Sequence, residues 1–169
     1  ESYEICFVPD NDYRGFLKRH VDGLEERVAG GNFVDQSGNI LGEHNGYPFF
    51  TVGQRKGLGI AMGEPMYVTE IIPDTNTVVL GREEDMIRNG MLVGNFNFMK
   101  YPSIEDQLEV VTKIRYRDQG TLSQIHMEGE LVKVDFMANV RGIAPGQSAV
   151  MYEGDDVVGG GLIRSSIFN

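Results

Sequence analysis

Leu108-Glu109-Val110-Val111-Thr112-Lys113-Ile114-Arg115-Tyr116-Arg117 is the stretch that sets the architecture. Leu108, Val110, Thr112, Ile114 and Tyr116 alternate with Glu109, Lys113, Arg115 and Arg117, the period of a half-buried β-strand. Val132, Val134 and Phe136 repeat it. Residues 66–72 and 77–80 flank Pro73-Asp74-Thr75-Asn76, whose composition suits a tight turn. Residues 92–98 form another candidate strand, and 148–152 and 157–163 flank Glu153-Gly154-Asp155-Asp156. About six short strands joined by tight turns predict a small closed barrel, the arrangement that removes exposed sheet edges.

Upstream of Gly63 the pattern changes. Tyr13, Phe16, Leu17 and Val21 recur at helical spacing, with Asp10 or Asn11 placed to cap the helix. Asn32-Phe33-Val34-Asp35, Gln36-Ser37-Gly38-Asn39 and Ile40-Leu41-Gly42 read as a hairpin. Residues 47–52 read as a further strand. The chain is therefore expected to be mainly β: a small α+β linker domain over 1–63, then the barrel domain over 64–169.

Composition narrows the function classes. The chain has 169 residues, 41% of them hydrophobic, with 22 glycines and a single cysteine. No apolar run is long enough to cross a membrane as a helix, and no signal peptide is evident, so a soluble protein is expected. One cysteine cannot close an intramolecular disulfide, which agrees with a reducing cytoplasm. The formal charge is −10. A generic nucleic-acid binder would carry the opposite sign. Residues 1–63 hold 6 basic and 9 acidic side chains and residues 64–169 hold 9 and 16, so neither part is basic. Any RNA must bind a local patch.

The best local patch is Gly53-Gln54-Arg55-Lys56-Gly57-Leu58-Gly59. Glycine on both sides of Arg55 and Lys56 permits positive φ and close backbone approach. A guanidinium fork and an ammonium suit phosphate. The ordinary alternative is a solvated hairpin tip. Gln54 either contacts RNA or closes the turn. His44, in Gly42-Glu43-His44-Asn45-Gly46, either meets RNA or shapes its turn. His20, His44 and His126 lie far apart in sequence, and no metal site is expected. Lys113, Arg115 and Arg117 share one strand face, either solvated or touching RNA. Asp155-Asp156 and Glu83-Glu84-Asp85 read as exposed turns. Cys6, between Ile5 and Phe7, by itself reads as a buried apolar thiol sooner than as a reactive one.

Taken together, Ile5-Cys6-Phe7, residues 13–17, residues 38–46, Phe50-Thr51-Val52-Gly53-Gln54-Arg55-Lys56-Gly57-Leu58-Gly59-Ile60, Lys113-Ile114-Arg115-Tyr116, Ala144-Pro145-Gly146-Gln147 and Gly159-Gly160-Gly161 resemble the tRNA-specific 2-thiouridylase family. The resemblance implies a linking domain followed by a barrel like the second domain of translation elongation factors. It implies a parent enzyme that thiolates the wobble uridine of tRNA at the expense of ATP with Mg, fed by an upstream persulfide donor protein. Cys6 then matches the persulfide-carrying nucleophile. Arg55 and Lys56, with Gln54 and His44, match RNA contacts. The family's nucleotide-binding domain and second cysteine have no counterpart here, since no Ser-Gly-Gly-x-Asp-Ser phosphate loop occurs. Beginning at Glu1 without Met, the chain reads as an excised C-terminal portion that binds no ATP and is inactive alone. The competing expectation is a non-catalytic β-barrel module that binds RNA or protein.

Overall fold

The computed structural model describes Val8 and residues 12–168. Cys6, Asp10 and Asn11 lie outside the described residues. The chain divides into two units, Glu1–Asp85 and Met86–Asn169.

The first unit opens with helices α1 (Tyr13–His20) and α2 (Leu24–Val28). Asp12 caps α1, its Oδ1 accepting from the Gly15 N–H at 2.8 Å. The capping carboxylate explains Gly15, where a Cβ would collide with it. Strands β1 (Gly31–Val34), β2 (Ile40–His44), β3 (Tyr67–Ile72) and β4 (Thr77–Gly81) form one sheet in the order β2-β1-β4-β3. The β1–β2 hairpin is antiparallel, as expected, and Asp35 closes it by accepting from the backbone of Ser37 and Asn39. Phe33, Val68, Val78 and Leu80 are almost wholly buried at the centre of this unit.

Two expectations are corrected here. Residues 47–52 do not form a strand. Tyr47–Phe49 is a 3-10 turn, because Pro48 removes a ladder donor and fixes φ, and the Phe49 and Phe50 N–H groups bond three residues back. Nor does the change of unit fall at Gly63. β4 pairs in parallel with β1, Phe33 opposite Val78, which draws β3 and β4 into the first sheet and moves the division past Gly81. Alternation showed that these segments were strands, but not which sheet would take them.

The second unit is a closed barrel of six antiparallel strands: β5 (Ile87–Phe98), β6 (Leu108–Lys113), β7 (Thr121–Glu128), β8 (Leu131–Arg141), β9 (Ser148–Glu153) and β10 (Asp156–Ile167), in the order β10-β5-β8-β7-β6-β9. The mainly β class and the six-stranded closure are as expected. The composition of the barrel is not, since β7 takes the place of the two strands lost to the first sheet. Met91, Val93, Ile125, Val132, Val134 and Met151 are fully enclosed by it. Gly159, Gly160 and Gly161 lie where β10 runs between β9 and β5. A Cβ on Gly160 would stand 2.7 Å from the Ala149 carbonyl oxygen, and one on Gly161 2.5 Å from that of Gly94. The triple glycine is therefore a packing requirement of the barrel.

Candidate nucleic-acid interface

The basic loop is anchored at its root and fastened across its tip. The Gly53 N–H donates to the Val68 carbonyl at 2.7 Å and the Val68 N–H to the Gln54 carbonyl at 2.9 Å, tying the loop to β3. Gln54 Oε1 accepts from the Thr51 N–H at 3.1 Å, and Nε2 donates to the Lys56 carbonyl at 2.9 Å. Gly53 and Gly57, at φ of 89° and 74°, supply the left-handed turns that bracket the two cations. Arg55 and Lys56 are exposed, and neither is paired with a carboxylate among the described residues. The amide of Gln54 is taken up by the loop itself, so its part in the geometry is to hold the cations out.

His44, at the end of β2, is buried, with 6% of its surface exposed. Its Nδ1 accepts from the Gly46 N–H at 3.0 Å, which puts the proton of the neutral ring on Nε2. The ring meets Phe33 and Phe50 edge-on, with centroids 4.8 and 5.1 Å away. Burial pushes its pKa below the usual 6.5, partly opposed by the Asn32 backbone. Gly31 makes room for the ring, since a Cβ there would strike it. Beside His44 is a cleft of about 160 Å³, also lined by Arg14, Glu43, Asn45 and the Gly57–Leu58 end of the basic loop. The Arg14 guanidinium stands 5.6 Å from the Phe50 ring centroid.

The barrel presents a second cationic tip, and here the expectation of one shared strand face is corrected. β6 stops at Lys113, so Arg115 and Arg117 leave the sheet on a turn. Asp118 shapes that turn, accepting from the Ile114 N–H at 3.0 Å and the Gly120 N–H at 3.1 Å. Between the two arginines Tyr116 is fully exposed. Lys113 instead leans over the Tyr152 ring, 5.1 Å from its centroid. Sequence alternation hid this aromatic tip by carrying the strand on to Arg117, four residues past its end at Lys113. The signal was Asp118 followed by Gly120, a turn pair directly after it. His20, His44 and His126 fall on α1, β2 and β7, and no cluster of metal-ligating side chains occurs among the described residues.

Two family models match the chain on either side of the division seen in the structure. The one described as a tRNA methyl transferase PRC-barrel domain matches residues 14–82, and the one described as an aminomethyltransferase beta-barrel domain matches residues 88–163. The tRNA-specific 2-thiouridylase MnmA of Amoebophilus asiaticus is 58% identical over 167 residues, which is 98% of this chain and 44% of that protein. The chain belongs to the tRNA-specific 2-thiouridylase family. The 2-thiouridylase of Cytophaga hutchinsonii is likewise 58% identical, over 98% of this chain and 45% of its own length. That of Salinibacter ruber is 49% identical over 97% of this chain and 43% of its own. The chain thus spans somewhat under half the length of these 2-thiouridylases. No helix among the described residues is long and apolar enough to cross a membrane.

Proposed function

We propose that this chain grips tRNA and carries sulfur within an ATP-dependent tRNA-uridine 2-sulfurtransferase. The observation that carries the reading is the fastened loop that holds Arg55 and Lys56 exposed and unpaired in a family named for its tRNA substrate. Such cations contact the RNA backbone and position the wobble uridine without reading its sequence. The exposed Tyr116 between Arg115 and Arg117 supports a second contact, an aromatic face on which an unpaired base stacks.

Cys6 is the proposed nucleophile. A persulfide donor protein passes its outer sulfur to the Cys6 thiolate, leaving Cys6 with an S–S bond. ATP, bound with Mg outside this chain, supplies the adenylation that turns the uridine 2-oxygen into a leaving group. The outer sulfur on Cys6 attacks C2, and the oxygen departs with AMP. A second thiol, also outside this chain, then attacks the Cys6 sulfur. The S–S bond breaks, 2-thiouridine is released and the two cysteines are left as a disulfide for a cellular thiol to reduce. With one cysteine and no phosphate-loop sequence, the chain by itself turns over neither ATP nor tRNA in this reading. The reaction belongs in the cytoplasm, where its tRNA substrate is.

The test is a salt titration of tRNA affinity. Lys56→Ala should weaken binding to all tRNA sequences alike and lower the salt slope by about 1. Arg55→Ala should cost more, because a guanidinium makes two parallel bonds that an ammonium cannot. Affinity and slope unchanged in both variants would remove the loop from the RNA interface.

A further inference from the structure

We propose that the cleft beside His44 receives one unstacked guanine of the bound RNA; the inference rests on the tRNA-binding reading above. Size comes first. At about 160 Å³ the cleft is small for a whole organic ligand and suits a single planar fragment. Pockets for drug-sized ligands begin at about 300 Å³. The flat face available is the exposed Arg14 guanidinium, 5.6 Å from the Phe50 ring centroid, with Phe33, Phe49 and Phe50 buried behind it. Aromatic and guanidinium surfaces are the usual platforms for unstacked bases.

Charge then excludes the other part of a nucleotide. Glu43 lines the same cleft as Arg14, and a carboxylate repels a phosphate placed beside it. An ionised carboxylate only accepts hydrogen bonds, so it selects a ligand edge with N–H donors. Guanine carries two such donors side by side on its Watson–Crick edge, N1–H and the 2-amino group, and its O6 acceptor stands next to them. Asn45 lines the cleft with an N–H donor pair suited to O6. Adenine has no adjacent donor pair, and uracil has a single N–H between two acceptors. Glu43 and Asn45 are exposed, and neither side chain has a partner among the described residues. Arg14 makes one long hydrogen bond, 3.5 Å to the Phe49 carbonyl, and its other N–H groups remain available.

The experiment is an amide NMR titration of the chain with guanosine, adenosine and uridine 5′-monophosphates and with inorganic phosphate, alongside tRNA binding. Guanosine monophosphate should shift the amides of Glu43, Asn45 and Gly57 saturably, with the other three ligands silent there. Glu43→Gln should weaken that binding roughly tenfold, the range of one bidentate base contact. Glu43 is exposed, so this change leaves the core intact, and Asn45→Ala provides a second surface variant. Equal shifts with all nucleotides, shifts with phosphate alone, or no shifts at the cleft would overturn the guanine assignment. If tRNA still binds in those cases, with affinity dependent on Arg55 and Lys56, only the cleft inference falls. Absence of tRNA binding would strike the broader reading instead.

Discussion

Gln54 uses both ends of its amide inside the loop that carries Arg55 and Lys56. Its substitution should therefore act differently from loss of a cation. Gln54→Ala removes two hydrogen bonds that order the tip, each worth about 1 kcal/mol. In the tRNA salt titration it should lower affinity and leave the slope unchanged, because no phosphate contact is lost. A slope that falls as it does for Lys56→Ala would mean that Gln54 touches the RNA itself. His44 makes a separate prediction. Its folded pKa lies below the usual 6.5, so the unfolded chain binds the proton more readily. The first unit should be at full strength above that pH and weaken as the pH falls through 6.5 and below, by at most about 1.4 kcal/mol per pH unit for one proton. The ring proton shifts of His44 should titrate below 6.5; a midpoint above it would show that the ring is not desolvated. In the sequence both residues read two ways, because a polar side chain in a glycine-rich turn looks the same whether it faces a ligand or its own backbone.

At the scale of elements, β8 and β9 were legible because inward Val132, Val134 and Phe136, and Ala149 and Met151, are apolar at every second residue. β6 alternates likewise with Thr112 as a polar inward position, and β10 was legible from the turn Glu153-Gly154-Asp155-Asp156 before it. β7 was not. Its inward face includes Ser123, whose hydroxyl pairs with Thr112 at 2.7 Å inside the barrel, while Leu122 is 45% exposed. A satisfied hydroxyl pair thus inverts the apolar signal. The placement of β3 and β4 was hidden for another reason, since parallel pairing with β1 joins segments distant in sequence. Asn76 helps to fix that arrangement. At φ of 50° it takes the Tyr47 N–H on Oδ1 and gives Nδ2 to the Val28 carbonyl. The triple glycine yields the sharpest test of packing. Gly161→Ala should destabilise the barrel by about 2 kcal/mol or more, since the intruding methyl meets the Gly94 and Phe96 backbone and the fully buried Val93 side chain. Thermal unfolding of the chain measures it, and a wild-type midpoint would contradict the close approach of β10 to β5.

For the whole molecule, the corrected division redistributes the charge. The first unit carries 7 basic and 15 acidic side chains, net −8, and the barrel 8 and 10, net −2. The barrel is the less repulsive of the two toward RNA, which gives its Arg115-Tyr116-Arg117 tip more weight than the sequence division at Gly63 allowed. The proposed binding by two small cationic tips on an acidic chain implies modest affinity and a shallow salt slope, about 1 for each phosphate contact. The proposed chemistry rests on Cys6, and its most direct measurement is the 2-thiouridine content of tRNA, by mass spectrometry of nucleosides, from cells whose only copy of the complete enzyme carries Cys6→Ser. Serine keeps the size of the side chain and cannot hold a second sulfur. The account predicts that 2-thiouridine disappears while the enzyme still accumulates and binds tRNA; wild-type levels of 2-thiouridine in that strain would contradict it.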